Sequence, residues 1–180
     1  MLGLMQDQPL MISSLIEFAA RHHGDTQIVS RRVEGDLHRY TYAASAARAR
    51  RVANALDRLG LAFSDRVGTL AWNGYRHFEL YFGVSGSGRV VHTINPRLAP
   101  DQVAWIANHA EDQVLCFDMT FLPVIKAIWS QCTTVRHWVA LCEADALPAD
   151  TGIPGLRSYE DWIGQESDQY DWPQFDERSA

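Results

Sequence analysis

Lysine is almost missing from this 180-residue chain: fifteen of its sixteen basic residues are Arg, and Lys126 stands alone. Any mechanism that needs an ammonium group must use Lys126 or do without. Long apolar runs are missing as well. None approaches the roughly 20 residues that cross a bilayer, and residues 1–12 hold no basic cluster of the kind that opens a secretory signal. The chain therefore reads as cytoplasmic, with no transmembrane segment. Cysteine is scarce and odd in number. Cys116, Cys132 and Cys142 lie far apart within apolar runs, which fits reduced, buried thiols better than a disulfide framework or a zinc site. No basic stripe offsets the net charge of −6, so nucleic acid is excluded as a partner. Among seven histidines the one close pair is His22-His23, and neighbouring helical residues point about 100° apart. No Ser sits in a Gly-x-Ser-x-Gly elbow. A self-contained hydrolase or metalloenzyme is excluded on these spacings, and no metal site is assigned.

What is present describes one folded α/β unit. The chain is 47% hydrophobic and 21% charged, with six Trp, a composition that buries a core rather than staying disordered. Ser14-Leu15-Ile16-Glu17 has capping-box spacing and predicts a helix from Ser14 to about His23. Ile28 to Val33 and Leu37 to Tyr42 flank Glu34-Gly35-Asp36 and predict a hairpin with Gly35 at positive φ. Tyr42, Ala46, Ala49, Val52, Leu56 and Leu59 recur at three and four, predicting a long helix capped by Thr41 and closed by Gly60. Beyond it, strand-like runs at Arg66 to Trp72, Arg89 to Ile94, Gln113 to Phe117 and Val135 to Leu141 alternate with helical stretches. Those helices fall at about Arg76 to Ser85, Pro100 to Ala110 and Phe121 to Ser130. Four strands and three helices in alternation imply right-handed crossovers and a mostly parallel sheet with flanking helices. The expected organisation is a helix, hairpin and helix layer over residues 1–60 and a sheet layer over 61–142. Residues 143–180 then supply a loop, a short helix near Tyr159 to Gly164 and an acidic tail.

Two segments carry candidate chemistry. Polar groups at the C-terminal ends of parallel strands sit where α/β folds place ligands. That rule selects Trp72 and Asn73 after one strand, and His92, Thr93 and Asn95 at the end of the next, as a possible wall of a substrate cleft. The alternative is purely structural: the Trp72 indole buried with Asn73 in a turn, and Asn95 capping the turn before Pro100. Gly83-Val84-Ser85-Gly86-Ser87-Gly88 has the glycines of a phosphate loop but the wrong order. They close a helix and lead into the strand at Arg89, which predicts helix termination and close helix–sheet packing.

Taken together, five blocks resemble the N-terminal region of fatty-acyl-CoA synthetases, in the medium- and long-chain branch of the adenylate-forming superfamily. They are His38-Arg39-Tyr40-Thr41-Tyr42, Arg48-Ala49-Arg50-Arg51-Val52-Ala53-Asn54-Ala55-Leu56, Asp65-Arg66-Val67-Gly68-Thr69-Leu70-Ala71-Trp72-Asn73, His92-Thr93-Ile94-Asn95-Pro96-Arg97-Leu98 and Ile106-Ala107-Asn108-His109-Ala110-Glu111-Asp112. The similarity runs in order from about Leu10 to Ala180. It departs at Ala44, where an acid is common, and at Gly74, where a bulkier residue is usual.

The resemblance implies a parent ligase. A fatty carboxylate attacks ATP, with Mg²⁺, to give acyl-AMP and pyrophosphate, and coenzyme A then displaces AMP. It also implies that the phosphate loop, the adenine and ribose pocket, the metal-binding Glu and both family lysines lie outside these residues, the loop beginning just beyond Ala180. Lys126 matches neither lysine. No catalytic or cofactor-binding residue is assigned, and the chain alone is expected to be inactive. Two further readings stay open. One is a stand-alone interaction module that forms a homodimer or larger assembly. The other is the same portion of an adenylate-forming enzyme for another carboxylic acid.

Overall fold

The computed structural model describes residues 3–5 and 8–179; residues 1, 2, 6, 7 and 180, the last of them the end of the acidic tail, lie outside the described residues. The chain begins with α1 (Ile12–His22), the hairpin β1 (Gln27–Arg31) and β2 (Leu37–Thr41), and α2 (Tyr42–Arg58). It continues through β3 (Arg66–Leu70), α3 (Tyr75–Gly86), β4 (Val90–Thr93), α4 (Pro100–His109), β5 (Asp112–Phe117), α5 (Leu122–Ile128) and β6 (His137–Ala140). A two-residue strand β7 (Arg157–Ser158) and α6 (Tyr159–Gly164) complete it. The strands of the main sheet are all parallel, in the order β4-β3-β5-β6-β7. The hairpin is a separate antiparallel sheet. No described helix is long and apolar enough to cross a membrane.

The parallel α/β reading holds, with one strand more than expected. Arg157–Ser158 pairs with Val139 and Ala140 of β6, but two residues carry no periodicity that a sequence pattern could show. Both faces of the sheet are buried at its inner strands β3, β5 and β6, as short apolar strand runs require, while the edge strand β4 is half-buried. Leu70, Leu115, Phe117 and Ala140 pack under α4 and α5 with Val103, Ala107, Ile125 and Ile128. Val67, Val114, Cys116 and Val139 face the other way, onto Val52, Leu56, Leu80, Val84 and Tyr159. All three cysteines are buried and free.

Local signals read correctly where no distant group competed. Thr41 caps α2 by accepting the Ala44 N–H at 3.3 Å, and Gly35 and Gly60 take φ of +100° and +76°. The capping box at Ser14 and Glu17 does not form. The helix starts earlier, at Ile12, with Met11 in the cap position, and the Ser14 hydroxyl donates to the Met11 carbonyl instead. Glu17 has better partners elsewhere: it accepts from Arg50 at 2.6 Å and from the Trp172 indole N–H at 2.8 Å. A charge-assisted bond to a guanidinium outweighs one neutral cap bond. The stretch around Phe121 to Ser130 is also divided, α5 being flanked by 3₁₀ turns at Met119–Phe121 and Trp129–Gln131.

The glycine run corrects a second expectation. Gly83 serves a helix–helix contact, not a helix–sheet one: a Cβ there would lie 2.6 Å from the Val52 side chain and 2.8 Å from the Ala49 carbonyl oxygen of α2. Gly83→Val is expected to cost about 1–3 kcal/mol through overpacking, read as a lower urea midpoint. Gly74→Ser, at a position where a Cβ meets nothing within 4 Å, should leave the urea-derived stability within about 0.5 kcal/mol of the parent chain. Equal midpoints for the two variants would show that α2 and α3 do not depend on this approach.

Candidate functional site at the C-terminal edge of the sheet

β3 and β5 end side by side, and the turns that leave them face each other. The Trp72 backbone N–H donates to Asp118 Oδ2 at 2.6 Å. Its indole N–H donates to Thr120 Oγ1 at 2.9 Å, and its ring lies 5.1 Å from Phe121. Trp72 is therefore held at both ends, yet it remains 45% exposed. The structure does not bury it as the simpler reading proposed. Asn73 beside it is exposed. His77 lies beneath, with Nε2 3.0 Å from the Thr69 hydroxyl and Nδ1 3.2 Å from the Trp72 carbonyl. Burial pushes its pKa down, so the neutral ring donates from Nδ1 to that carbonyl and accepts from Thr69 at Nε2.

The remaining candidates are not gathered at this point. Thr93 closes β4 and is exposed. Asn95, also exposed, accepts the Arg97 N–H at 3.0 Å in a local turn, the structural role weighed for it above. His92 turns away along the sheet: its Nδ1 lies 2.9 Å from both oxygens of the buried Asp112 at the start of β5. Gly68 makes this possible, because a Cβ on β3 would stand 2.5 Å from Asp112 Oδ2. The Asp112 hydrogen bond raises the His92 pKa, and burial raises that of Asp112. The His92 Nδ1 is thus directed at a carboxylate inside the sheet.

Asp118, Thr120 and His77 were not singled out from the sequence. Asp118 could have been, since it follows the apolar run Val114 to Phe117 at a strand's C-terminal end, the rule that selected Trp72. Around this edge the hairpin contributes Arg32 and Glu34, which with Trp72, Tyr75, Arg76 and Asp118 line a crevice of about 30 Å³. That volume suits a water or two, not a nucleotide.

The charges here are already matched. Arg48 Nε donates to the fully buried Glu79 at 2.8 Å, and the Tyr159 hydroxyl donates to the other Glu79 oxygen at 2.8 Å. Glu160 accepts from Arg48, from Arg76 and from the Tyr75 hydroxyl. Arg76 also donates to Glu34, Glu143 and the Leu141 carbonyl. Arg32 is paired with Asp36 and Glu143. Lys126 is exposed on α5. Among the described residues no group of three or more His, Cys, Asp or Glu could hold a metal ion, and Arg32, Arg48 and Arg76 are committed to carboxylates. These residues do not fit a triphosphate.

Burial pushes the Asp118 carboxyl up to about 6. A folded-state pKa above the usual acid value means that the native state binds the extra proton, so this group's contribution to stability falls as pH rises from about 4 to about 6. Asp118→Asn keeps an acceptor for Trp72 and removes the titration. Its urea-derived stability should exceed the parent's by up to about 3 kcal/mol above pH 6, with the gap closing below about pH 4. Parallel pH profiles for the two chains would refute the assignment.

A family model described as AMP-binding enzyme matches residues 15–173. Over its whole length the chain is 51% identical to the 3-methylmercaptopropionyl-CoA ligase of Ruegeria lacuscaerulensis, of which it covers 33%. It is 46% identical, again over its whole length, to the medium-chain-fatty-acid–CoA ligase of Ectopseudomonas oleovorans, covering 33% of that protein. The chain thus spans about a third of the length of these relatives. Its fold matches that of the anthranilate CoA ligase AuaEII, solved in complex with anthranoyl-AMP, with a TM-score of 0.80 over 97% of this chain and 32% of that one at 23% identity. The expected ligase resemblance is met, and the chain belongs to the family of AMP-binding enzymes.

Proposed function

We propose that this chain is the N-terminal part of an acyl-CoA ligase whose full-length form activates a fatty acid or a similar aliphatic acid. With ATP and Mg²⁺ it makes the acyl-adenylate and pyrophosphate, and it then transfers the acyl group to coenzyme A. The observation that carries this is identity of about half, along the whole chain, to enzymes named for making CoA thioesters. The acids in those two names differ, one a short thioether acid and the other a medium-chain fatty acid. What they share is a flexible aliphatic chain next to the carboxylate, and that is the substrate class we assign. We place the parent enzyme in the cytoplasm.

Within the parent, the division into layers of residues 1–60, 61–142 and 143–180 makes this part a scaffold. Trp72, Asn73, Thr93 and Asn95 stand on its C-terminal edge as one wall of the substrate cleft, with His92 supporting β4 from behind through Asp112. A carboxylate needs a nucleotide leaving group and a cationic cradle to be activated. The charge pairing at this edge supports a division of labour in which the rest of the parent supplies the cradle. The purified 180-residue chain is expected to show no ATP–pyrophosphate exchange with octanoate or 3-methylmercaptopropionate, while the gene's full reading frame supports exchange with one of them. Turnover by the short chain alone would overturn the scaffold reading; no turnover by the full-length protein with any aliphatic acid would overturn the ligase reading.

One observation favours self-association beside this role. The α1 helix leaves Ile12, Leu15 and Phe18 exposed on the surface, and apolar side chains grouped in this way promote contact between copies. A dimer or larger species is expected by light scattering at micromolar concentration, and Leu15→Glu should return it to a monomer. A monomeric mass for the unsubstituted chain would remove this reading.

A further inference from the structure

The hairpin is a two-stranded sheet of its own, and two strands in isolation are marginally stable in water. Behind the tip it is tied down by packing. The His38 ring, paired with Ser30 one rung in from the turn, stacks on Tyr75 at 3.7 Å, the Tyr40 hydroxyl lies 3.2 Å from Ser45 Oγ, and at the base the Tyr42 N–H donates to the Thr26 carbonyl at 3.2 Å. Its tip is different. Val33 and Leu37 there are exposed, and the tip is fastened to the body by charge: Glu34 to Arg76 Nη1 at 2.8 Å and Arg32 Nη1 to Glu143 at 3.2 Å. Residues 31–34 form one side of the crevice whose other side is Trp72, Gly74, His77 and Asp118.

We propose that the hairpin tip is a flap, latched by these ion pairs over the C-terminal edge of β3 and β5, which swings about the His38–Tyr75 stack to open the crevice. Three features make the motion inexpensive. The tip is rigid in itself, because Arg32 grips Asp36 through two parallel bonds of 2.6 Å and the Arg32 N–H donates to the Asp36 carbonyl. Lifting Glu34 strands no buried charge, because Arg76 keeps Glu160 and the Leu141 carbonyl. Glu34 and Glu143 are partly exposed, so salt screens the latch. Little apolar surface holds the tip, which places it at the low-stability end of local opening. What opening uncovers is the underside of the Trp72 turn and the Asp118 carboxyl. This device goes beyond the ligase reading and does not depend on it.

A thiol placed in the crevice tests it. A Cβ at Gly74 meets no atom within 4 Å and the residue has negative φ, so Gly74→Cys is accommodated, and a tip latched across the crevice leaves a bulky maleimide less room beside it than a lifted one. Adding Glu34→Gln, or raising salt from about 0.05 to 0.5 M, is expected to speed labelling about three- to tenfold. The buried Cys116, Cys132 and Cys142, followed by peptide mass mapping, should stay at their original rates. Labelling of Gly74→Cys that ignores both changes would overturn the flap. Acceleration of all four thiols together would also overturn it, since the ion pairs would then hold the whole fold. In the unsubstituted chain, 5-fluorotryptophan at Trp72, assigned through Trp72→Phe, should shift with salt in the same range; a salt-invariant resonance counts against the motion independently of any cysteine variant.

Discussion

Burial of the Glu79 carboxylate is the constraint on which the rest of this structure turns. A carboxylate with no exposure costs several kcal/mol unless geometry and hydrogen bonds compensate, and burial does push its pKa above the ordinary value. Compensation comes from two directions, Arg48 on α2 and Tyr159 at the start of α6. Both must arrive in register for α3 to lie where it does. One acid on α3 thereby links α2 and the α6 segment after β6. Arg48 carries the link onward to Glu160, and Glu160 to Arg76 and Tyr75.

The same chain of charges shapes what the C-terminal edge can do. Arg76 and Arg32 stand within reach of the place where α/β folds bind ligands, and free guanidinium groups there would form an anion site. Instead they are paired with Glu34, Asp36, Glu143 and Glu160. The edge offers a half-exposed indole, turn amides and an acid of raised pKa, a surface suited to contact with an acyl chain or with another protein layer. Pairing also decides which element is loose. Where an arginine has several carboxylate partners, losing one exposes no buried charge, and the element carrying that partner can move.

Much of the fold was legible because its signals are local. Gly35 and Gly60 mark positive φ, Thr41 marks a helix start, and alternation of short apolar runs with helical periods marks a parallel sheet. Failures fall where a distant partner intervenes. Ser14 and Glu17 have cap spacing, yet Arg50 and Trp172 take the Glu17 carboxylate. Gly83 reads as helix closure and meets another helix instead of the sheet. Of the site, Trp72 and Asn73 were visible as residues leaving a strand. Asp118 and Thr120 were not, because their importance lies in what they hold. His92 was visible at the end of a strand, but nothing in its neighbourhood announces its partner Asp112, twenty residues away.

By itself the sequence determined the class of fold, the family resemblance and the shortage of lysine, since apolar spacing, turn residues and composition act through short-range sterics and simple charge balance. Only the tertiary structure decided which carboxylate each arginine takes, that Asp112 reaches His92 across Gly68, and that the hairpin tip and the Trp72 turn line one crevice. These depend on groups tens of residues apart meeting within hydrogen-bond distance, where the loss of water makes one pairing far better than its alternatives.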